Sequence, residues 1–176
     1  FDDDDEANGA YCRLLTAIAK YWVCKRAPNL VYESMECWGG NGYVEEGPMP
    51  RLFRQSPLNS IWEGSGNVIA LDVLKTLDSD NGVLETFLAE VGSAKGSSTS
   101  LDEMLDSLPG LVRRAIERSS QARLLVDTMA LTLQASLLSE RLAQSFCQTR
   151  LARCRHNFGA TELDETEATW LIERCF

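Results

Sequence analysis

Apolar residues recur at intervals of three and four along most of the chain, the mark of helices that bury one face. Between Ala7 and Trp38 they fall at Leu14, Ile18, Tyr21/Trp22 and Val23, then at Leu30/Val31, Met35 and Trp38, which predicts one long amphipathic helix. Pro28 removes a backbone donor, so a kink or local break is expected there. Gly39-Gly40 should end the helix. The period disappears over 41–60, where Gly47-Pro48-Met49-Pro50 and Pro57 predict a loop. That loop should be ordered, because Tyr43, Leu52 and Phe53 are too apolar to stay loose. Helical spacing returns from about 66 to 77 through Val68, Ile69, Leu71 and Leu74. Asp78-Ser79-Asp80-Asn81-Gly82 breaks it, and a further helix is expected over about 82–94 through Val83/Leu84, Phe87/Leu88 and Val91.

Gly92 to Ser100 is rich in glycine and serine and reads as a flexible linker. A short helix over 101–108 should stop at Pro109-Gly110. The longest periodic stretch runs from Leu111 to about Ser139, through Ile116, Leu124/Leu125, Met129, Leu133 and Leu137/Leu138. Helices over roughly 140–156 and 162–174 complete the pattern. Strand-like alternation of useful length is missing, and so is a repeat of fixed period. The expected fold class is all-α.

Composition adds bounds rather than direction. The chain has 176 residues, 44% hydrophobic and 24% charged, enough for one real core of a globular protein. It holds no apolar run of 18 residues, so no membrane span is expected. The opening Phe1-Asp2-Asp3-Asp4-Asp5-Glu6 is no secretory leader and should be solvated. It also lacks a methionine, which points to a processed chain or a piece of something longer. Six cysteines show no C-x-x-C pair, and His156 stands alone, so Cys154-Arg155-His156 does not amount to a metal site. Cys12, Cys24 and Cys147 lie in apolar, helical surroundings and read as reduced thiols of a cytoplasmic protein.

The net charge of −9 argues against a surface that attracts nucleic acid as a whole. Residues 113–155 nevertheless hold eight arginines against three acids, among them Arg113, Arg114, Arg118, Arg150 and Arg153. These could meet phosphates or form an ordinary solvated face. Residues 78–176 carry 10 basic and 15 acidic side chains, so DNA binding there would need sharply segregated charge.

Candidate chemistry gathers in three short stretches: Trp38-Gly39-Gly40-Asn41-Gly42-Tyr43, Arg51-Leu52-Phe53-Arg54 and Asn59-Ser60-Ile61-Trp62-Glu63-Gly64-Ser65-Gly66-Asn67. Long irregular connections between helices commonly bind something, and glycines let a backbone approach a ligand. Ser60-x-x-Glu63 fits a capping box, with Glu63 merely closing a helix start. Gly64 and Gly66 fit that reading poorly, since a helix start favours good helix formers. The other reading puts Glu63 on the turn before the helix, beside an apolar wall at Trp62. Such a wall raises a carboxylate's pKa and suits a general base or acid. The helix that follows offers free N–H groups to a phosphate or ribityl oxygen.

Together these stretches resemble the C-terminal helical domain of acyl-CoA dehydrogenases, which carry a G-G-x-G-[YF] turn, an arginine-bearing segment and a Y-E-G-T signature at nearly this spacing. The closest likeness is to the AidB branch, the DNA-alkylation-response flavoproteins. It rests on Cys24-Lys25-Arg26 with Pro28, on the string from Pro57 to Asn67, and on about 100 further helical residues. The resemblance implies a bundle segment at 1–77 and an AidB-type extension at 78–176. It implies Glu63 as the base that takes the α-proton of an acyl-CoA thioester while hydride passes to FAD. The Glu63 N–H would polarise the thioester carbonyl. Trp62 and Gly64 fall in the acyl pocket, with Trp62 replacing the usual tyrosine. Gly39, Gly40, Gly42, Ser65 and Asn67 fall where the family approaches FAD, much of it held by a neighbouring subunit, which implies a homo-oligomer, usually a tetramer. Glu36 stands where many members have glutamine, so direct FAD contact by that residue is not expected. The N-terminal helical and middle β-domains that complete such a flavin site are not in this sequence, so the chain alone should neither hold FAD well nor turn over substrate. The competing expectations are a DNA-binding flavoprotein and a helical oligomerisation module.

Overall fold

The computed structural model describes residues 6–79, 82–151 and 164–175, with side chains from Gly9 onward. Among them every regular element is helical: α1 (Glu6–Glu36), α2 (Gly40–Tyr43), α3 (Met49–Gln55), a 3₁₀ turn (Ser56–Ser60), α4 (Gly66–Asp78), α5 (Val83–Gly92), α6 (Thr99–Glu117), α7 (Ala122–Leu137), α8 (Glu140–Phe146), a π turn (Cys147–Leu151) and α9 (Glu165–Glu173). The all-α expectation is borne out.

The core follows from helical spacing. Leu14, Ile18 and Tyr21 of α1 face Ile69, Ala70, Val73 and Leu77 of α4 in one buried cluster. Val83, Phe87 and Val91 of α5 fall one turn apart and close it from another side, together with Leu125, Val126 and Met129 of α7. The cluster reaches as far as Cys147 and Leu151, so helices from both halves of the chain share it. Burial pushes the Cys147 thiol up, against the pull of its hydrogen bond with Ser98.

Four expectations need correction. First, α1 runs unbroken through Pro28 and its apolar positions do not form one buried face: Val23 is 62% and Leu30 58% exposed. Only the first half of α1 meets the bundle core. Second, 41–60 is not irregular. It holds α2, α3 and the 3₁₀ turn, with Pro48 as N-cap of α3 and Pro50 in its first turn, where a missing N–H costs little. Its period was illegible because only Met49 and Pro50 of α3 are buried. Tyr43, Leu52 and Phe53 are exposed rather than tucked in. Third, the stretch 92–100 is a structured turn. Gly96, at φ +95°, donates its N–H to Asp102 Oδ1 at 2.8 Å, and α6 starts at Thr99.

Fourth, α6 continues through Pro109-Gly110, and the break falls at Arg118. Leu101, Leu105, Leu108, Leu111, Val112 and Ala115 lie on one face across the proline and are all buried. Burying each large side chain gains about 1.5–3 kcal/mol, against roughly 3 kcal/mol for a proline inside a helix, so the face wins. Pro109 points outward. The expected ends of α4, α5 and α9 hold to within a few residues, and Gly39, at φ +56°, turns the chain after α1. The helix expected over 140–156 is present to Leu151, and its remainder lies outside the described residues, as does the acidic opening at 1–5.

Candidate active site turn

The turn that bears Glu63 is held against α1. After the 3₁₀ turn the chain bends through Ile61-Trp62-Glu63, and α4 begins at Gly66 with Ser65 as its N-cap. Among the described residues Glu63 is the one non-glycine at positive φ, +54°, and Gly64 follows at +104°. The Lys20 ammonium on α1 donates to the carbonyls on both sides of Glu63: Trp62 O at 2.9 Å and Gly64 O at 2.7 Å. Next to Lys20 on α1, Tyr21 and, a turn beyond it, Lys25 pack against Gly66 so closely that a Cβ there would overlap the Lys25 side chain. Arg13 of α1 pairs with Asp72 of α4 at 2.6 Å. The start of α4 is thus fastened to α1 at several points, and Glu63 projects from an anchored turn.

The capping-box reading of Glu63 fails on this geometry. The Ser60 hydroxyl donates to Pro57 O at 3.0 Å, and the helix starts six residues later, at Gly66. The Ser65 side chain makes no capping bond, which leaves the first N–H groups of α4 without that partner. Asn67 is exposed in the first turn of α4. Trp62 is 55% exposed and borders an apolar groove of about 700 Å³ between the second half of α1 and the α3–3₁₀ segment, lined by Leu30, Val31, Met49, Leu52 and Leu58.

The glycine turn divides into positions with different reasons. A Cβ on Gly42 would collide with the backbone carbonyl of Met35, so glycine there serves the close return of the chain onto α1. Gly39 is demanded by its positive φ. Gly40 meets neither condition, since a Cβ there would face open space. Glu36 is exposed and accepts a hydrogen bond from Tyr32 at 3.4 Å. Arg54 forms a two-pronged ion pair with Glu45 at 2.6 and 3.1 Å, so it is already engaged within the chain.

The surface of this region is apolar to an unusual degree. Thirteen of the seventeen large apolar side chains exposed among the described residues fall between Val23 and Leu71, including Trp38, Ile61, Trp62, Val68 and Leu71. Exposed apolar surface on this scale marks an interaction face.

The arginine stretch is less uniform than its sequence implies. Arg113, Arg114 and Arg118 are exposed at the end of α6. Arg123 donates to the Tyr21 hydroxyl at 3.1 Å, and Arg141 pairs with Glu167 and stacks 3.8 Å over Trp170. Arg150 is half-buried on the π turn, near enough to Arg26 for the two charges to act on each other. Asp127 sits beside Arg123 and Arg26, yet burial pushes its carboxyl up against their pull. Arg153, Cys154 and His156 lie outside the described residues. Among the described residues no three of His, Cys, Asp and Glu gather as a metal site requires, and no helix is long and apolar enough to cross a membrane.

Lys20 is the site residue that sequence reasoning missed. It is one of several cations on α1, and nothing in its spacing distinguishes it, because the partner carbonyls are more than forty residues away. Gly66 carried the only legible trace: a glycine at the start of a helix hints that another element approaches closely.

Comparison with known proteins bears directly on this segment. Residues 3–77 match the family described as acyl-CoA dehydrogenase, C-terminal domain. The chain is 37% identical over 150 residues to the putative acyl-CoA dehydrogenase AidB of Escherichia coli (strain K12), covering 84% of this chain and 28% of that protein. It is 31% identical over 137 residues to acyl-CoA dehydrogenase family member 11 of Caenorhabditis elegans, covering 78% of this chain and 22% of the relative. Two solved structures superpose on it: the apo form of Bd2924 (30% identity, TM-score 0.63, 82% of this chain and 27% of that one) and C. elegans ACDH-11 in complex with C11-CoA (27% identity, TM-score 0.64, 81% and 27%). The chain therefore spans less than a third of the length of these relatives. Its segment 3–77 matches the C-terminal domain of acyl-CoA dehydrogenases, and the likeness to AidB extends over 84% of the chain.

Proposed function

We propose that this chain supplies the base-bearing and assembly part of an FAD-dependent dehydrogenase that introduces an α,β double bond into an acyl-CoA thioester, with Glu63 as the base. The observation that carries this reading is the anchored turn, which presents an exposed carboxylate at positive φ beside an exposed tryptophan. A side chain that only capped a helix would not need that conformation. The acyl-CoA bound by the solved ACDH-11 relative supports the substrate class.

In the reaction, the Glu63 carboxylate takes the α-proton. The Glu63 N–H donates to the thioester carbonyl, which acidifies that carbon. Trp62 and Gly64 line the acyl side. FAD, when bound, supplies the acceptor for the β-hydride. The residues present fit that cofactor in two respects: Gly40 has no neighbour within this chain that explains its missing side chain, and the start of α4 has N–H groups that Ser65 does not cap. Gly39, Gly40, Gly42, Ser65 and Asn67 would lie along it. The exposed apolar surface between Val23 and Leu71 is covered by upstream domains and a second copy in a homo-tetramer. On its own the chain neither retains FAD nor turns over substrate. Residues 78–176 act as an added helical extension to the segment 1–77. The free thiols of Cys24, Cys37, Cys147 and Cys175 support a reducing, cytoplasmic compartment.

The test restores the upstream domains, records the flavin spectrum and adds a panel of acyl-CoAs without oxygen. Flavin bleaching that disappears in Glu63→Gln supports the reading. Bound flavin that no acyl-CoA reduces counts against it. In that case salt-dependent DNA binding, weakened by replacing Arg113, Arg114 and Arg118 with glutamine, would favour a DNA-binding flavoprotein instead.

A further inference from the structure

We infer that Lys20 is a positioning residue for Glu63: its ammonium group, bound to the carbonyls on either side, holds the turn in the one backbone state that presents the carboxylate as a base. The inference rests on the reading of Glu63 as that base.

A non-glycine residue at positive φ is strained and persists only where its surroundings over-determine it. Here the surroundings are specific. Trp62 O and Gly64 O converge on the same Nζ, at 2.9 and 2.7 Å. Rotating Glu63 back to negative φ would swing one of these carbonyls away and break at least one charge-assisted hydrogen bond. Lysine suits the task because its ammonium carries three donors on a long stem and can serve two acceptors at once.

Lys20 is not needed to dock α4 on α1. That contact is already made by Leu14, Ile18 and Tyr21 in the core, by the Arg13–Asp72 pair, and by Tyr21 and Lys25 against Gly66. Both Lys20 bonds go to the turn itself. The cation also stays clear of a direct pairing role: its hydrogen bonds go to the Trp62 and Gly64 carbonyls, not to the Glu63 carboxylate. Its effect on Glu63 is therefore one of geometry.

The experiment uses the flavin-loaded protein with its upstream domains and compares wild type, Lys20→Met, Lys20→Arg and Glu63→Gln in single-turnover flavin bleaching by acyl-CoA. Lys20→Met should slow bleaching at saturating acyl-CoA about 10- to 100-fold, the scale of a misplaced catalytic group, while acyl-CoA affinity and flavin content stay near wild type. Lys20→Arg, which keeps donors for both carbonyls, should recover most of the lost rate. In the 176-residue chain, Lys20→Met should speed amide exchange at Glu63 to Ser65 and leave α4 protected. Wild-type bleaching in Lys20→Met, with Glu63→Gln inactive, overturns the role of Lys20 and leaves the base reading standing. Wild-type bleaching in Glu63→Gln instead removes the base reading. Should Lys20→Met fail to fold, Lys20→Gln, which keeps a donor at shorter reach, takes its place with the same outcomes.

Discussion

Gly42 and Gly40 are two residues apart and answer to different masters. Gly42→Ala would drive a Cβ into the Met35 carbonyl, and we expect a loss of about 1–3 kcal/mol in chemical denaturation of this chain. Gly40→Ala adds a methyl group in open space on a short helix, so the same measurement should move by less than about 1 kcal/mol. If FAD lies along the turn, that harmless change should still weaken flavin retention once the upstream domains are present. Glu63 gives the opposite pairing of stability and function. Glycine tolerates φ +54° without the steric penalty of an L-side chain, so Glu63→Gly should leave the chain as stable or raise it by up to about 1 kcal/mol. A residue whose removal does not destabilise the fold is kept for another reason.

The helices show where local rules yield to packing. Pro109 is exposed in the middle of α6, and its cost is outweighed by six buried side chains that straddle it. Pro109→Ala should therefore raise stability by about 1–3 kcal/mol, read as an increase in denaturation midpoint. The attachment of α9 rests on polar contacts. Glu167 accepts hydrogen bonds from Ser145 and Arg141, and both hold its carboxyl below the usual carboxylate range, the serine bond more strongly. Asp164 caps the same helix through the Glu167 N–H at 2.8 Å. A depressed carboxyl pKa gives stability that is full above the unfolded value of 4.5 and is lost as pH falls through the lower folded value. Acidification below about pH 4.5 should thus loosen α9 before the core, reported by the fluorescence of Trp170 as Arg141 leaves its ring. Glu167→Gln should abolish that acid transition.

At the scale of the molecule the apolar surface is lopsided. The core joins α1, α4, α5, α6 and α7, while the outer faces of α1, α3 and α4 carry Leu30, Phe53, Val68 and Leu71 to solvent. Such a surface self-associates in the absence of its partners. The 176-residue chain should sediment as a concentration-dependent mixture, and Val68→Lys with Leu71→Lys should shift it towards monomer without loss of helical signal.

The helical class, most helix positions and the candidate turn were legible because they depend on neighbours in sequence. Spacing of three and four marked α4 and α5, and the stretches Trp38–Tyr43 and Asn59–Asn67 held the close-set glycines, both tryptophans and, in the second, Glu63 as the one carboxylate. The sequence by itself determined that the fold is built from helices and which short stretches carry the candidate chemistry. Tertiary structure alone decided which apolar positions are buried. Val23 and Phe87 look alike in a periodic pattern, yet one is 62% exposed and the other fully buried. It also decided that α6 survives its proline, since the gain from one continuous buried face exceeds the loss of one hydrogen bond. And it alone brought Lys20 to the carbonyls beside Glu63, because a contact across more than forty residues leaves no local period to read.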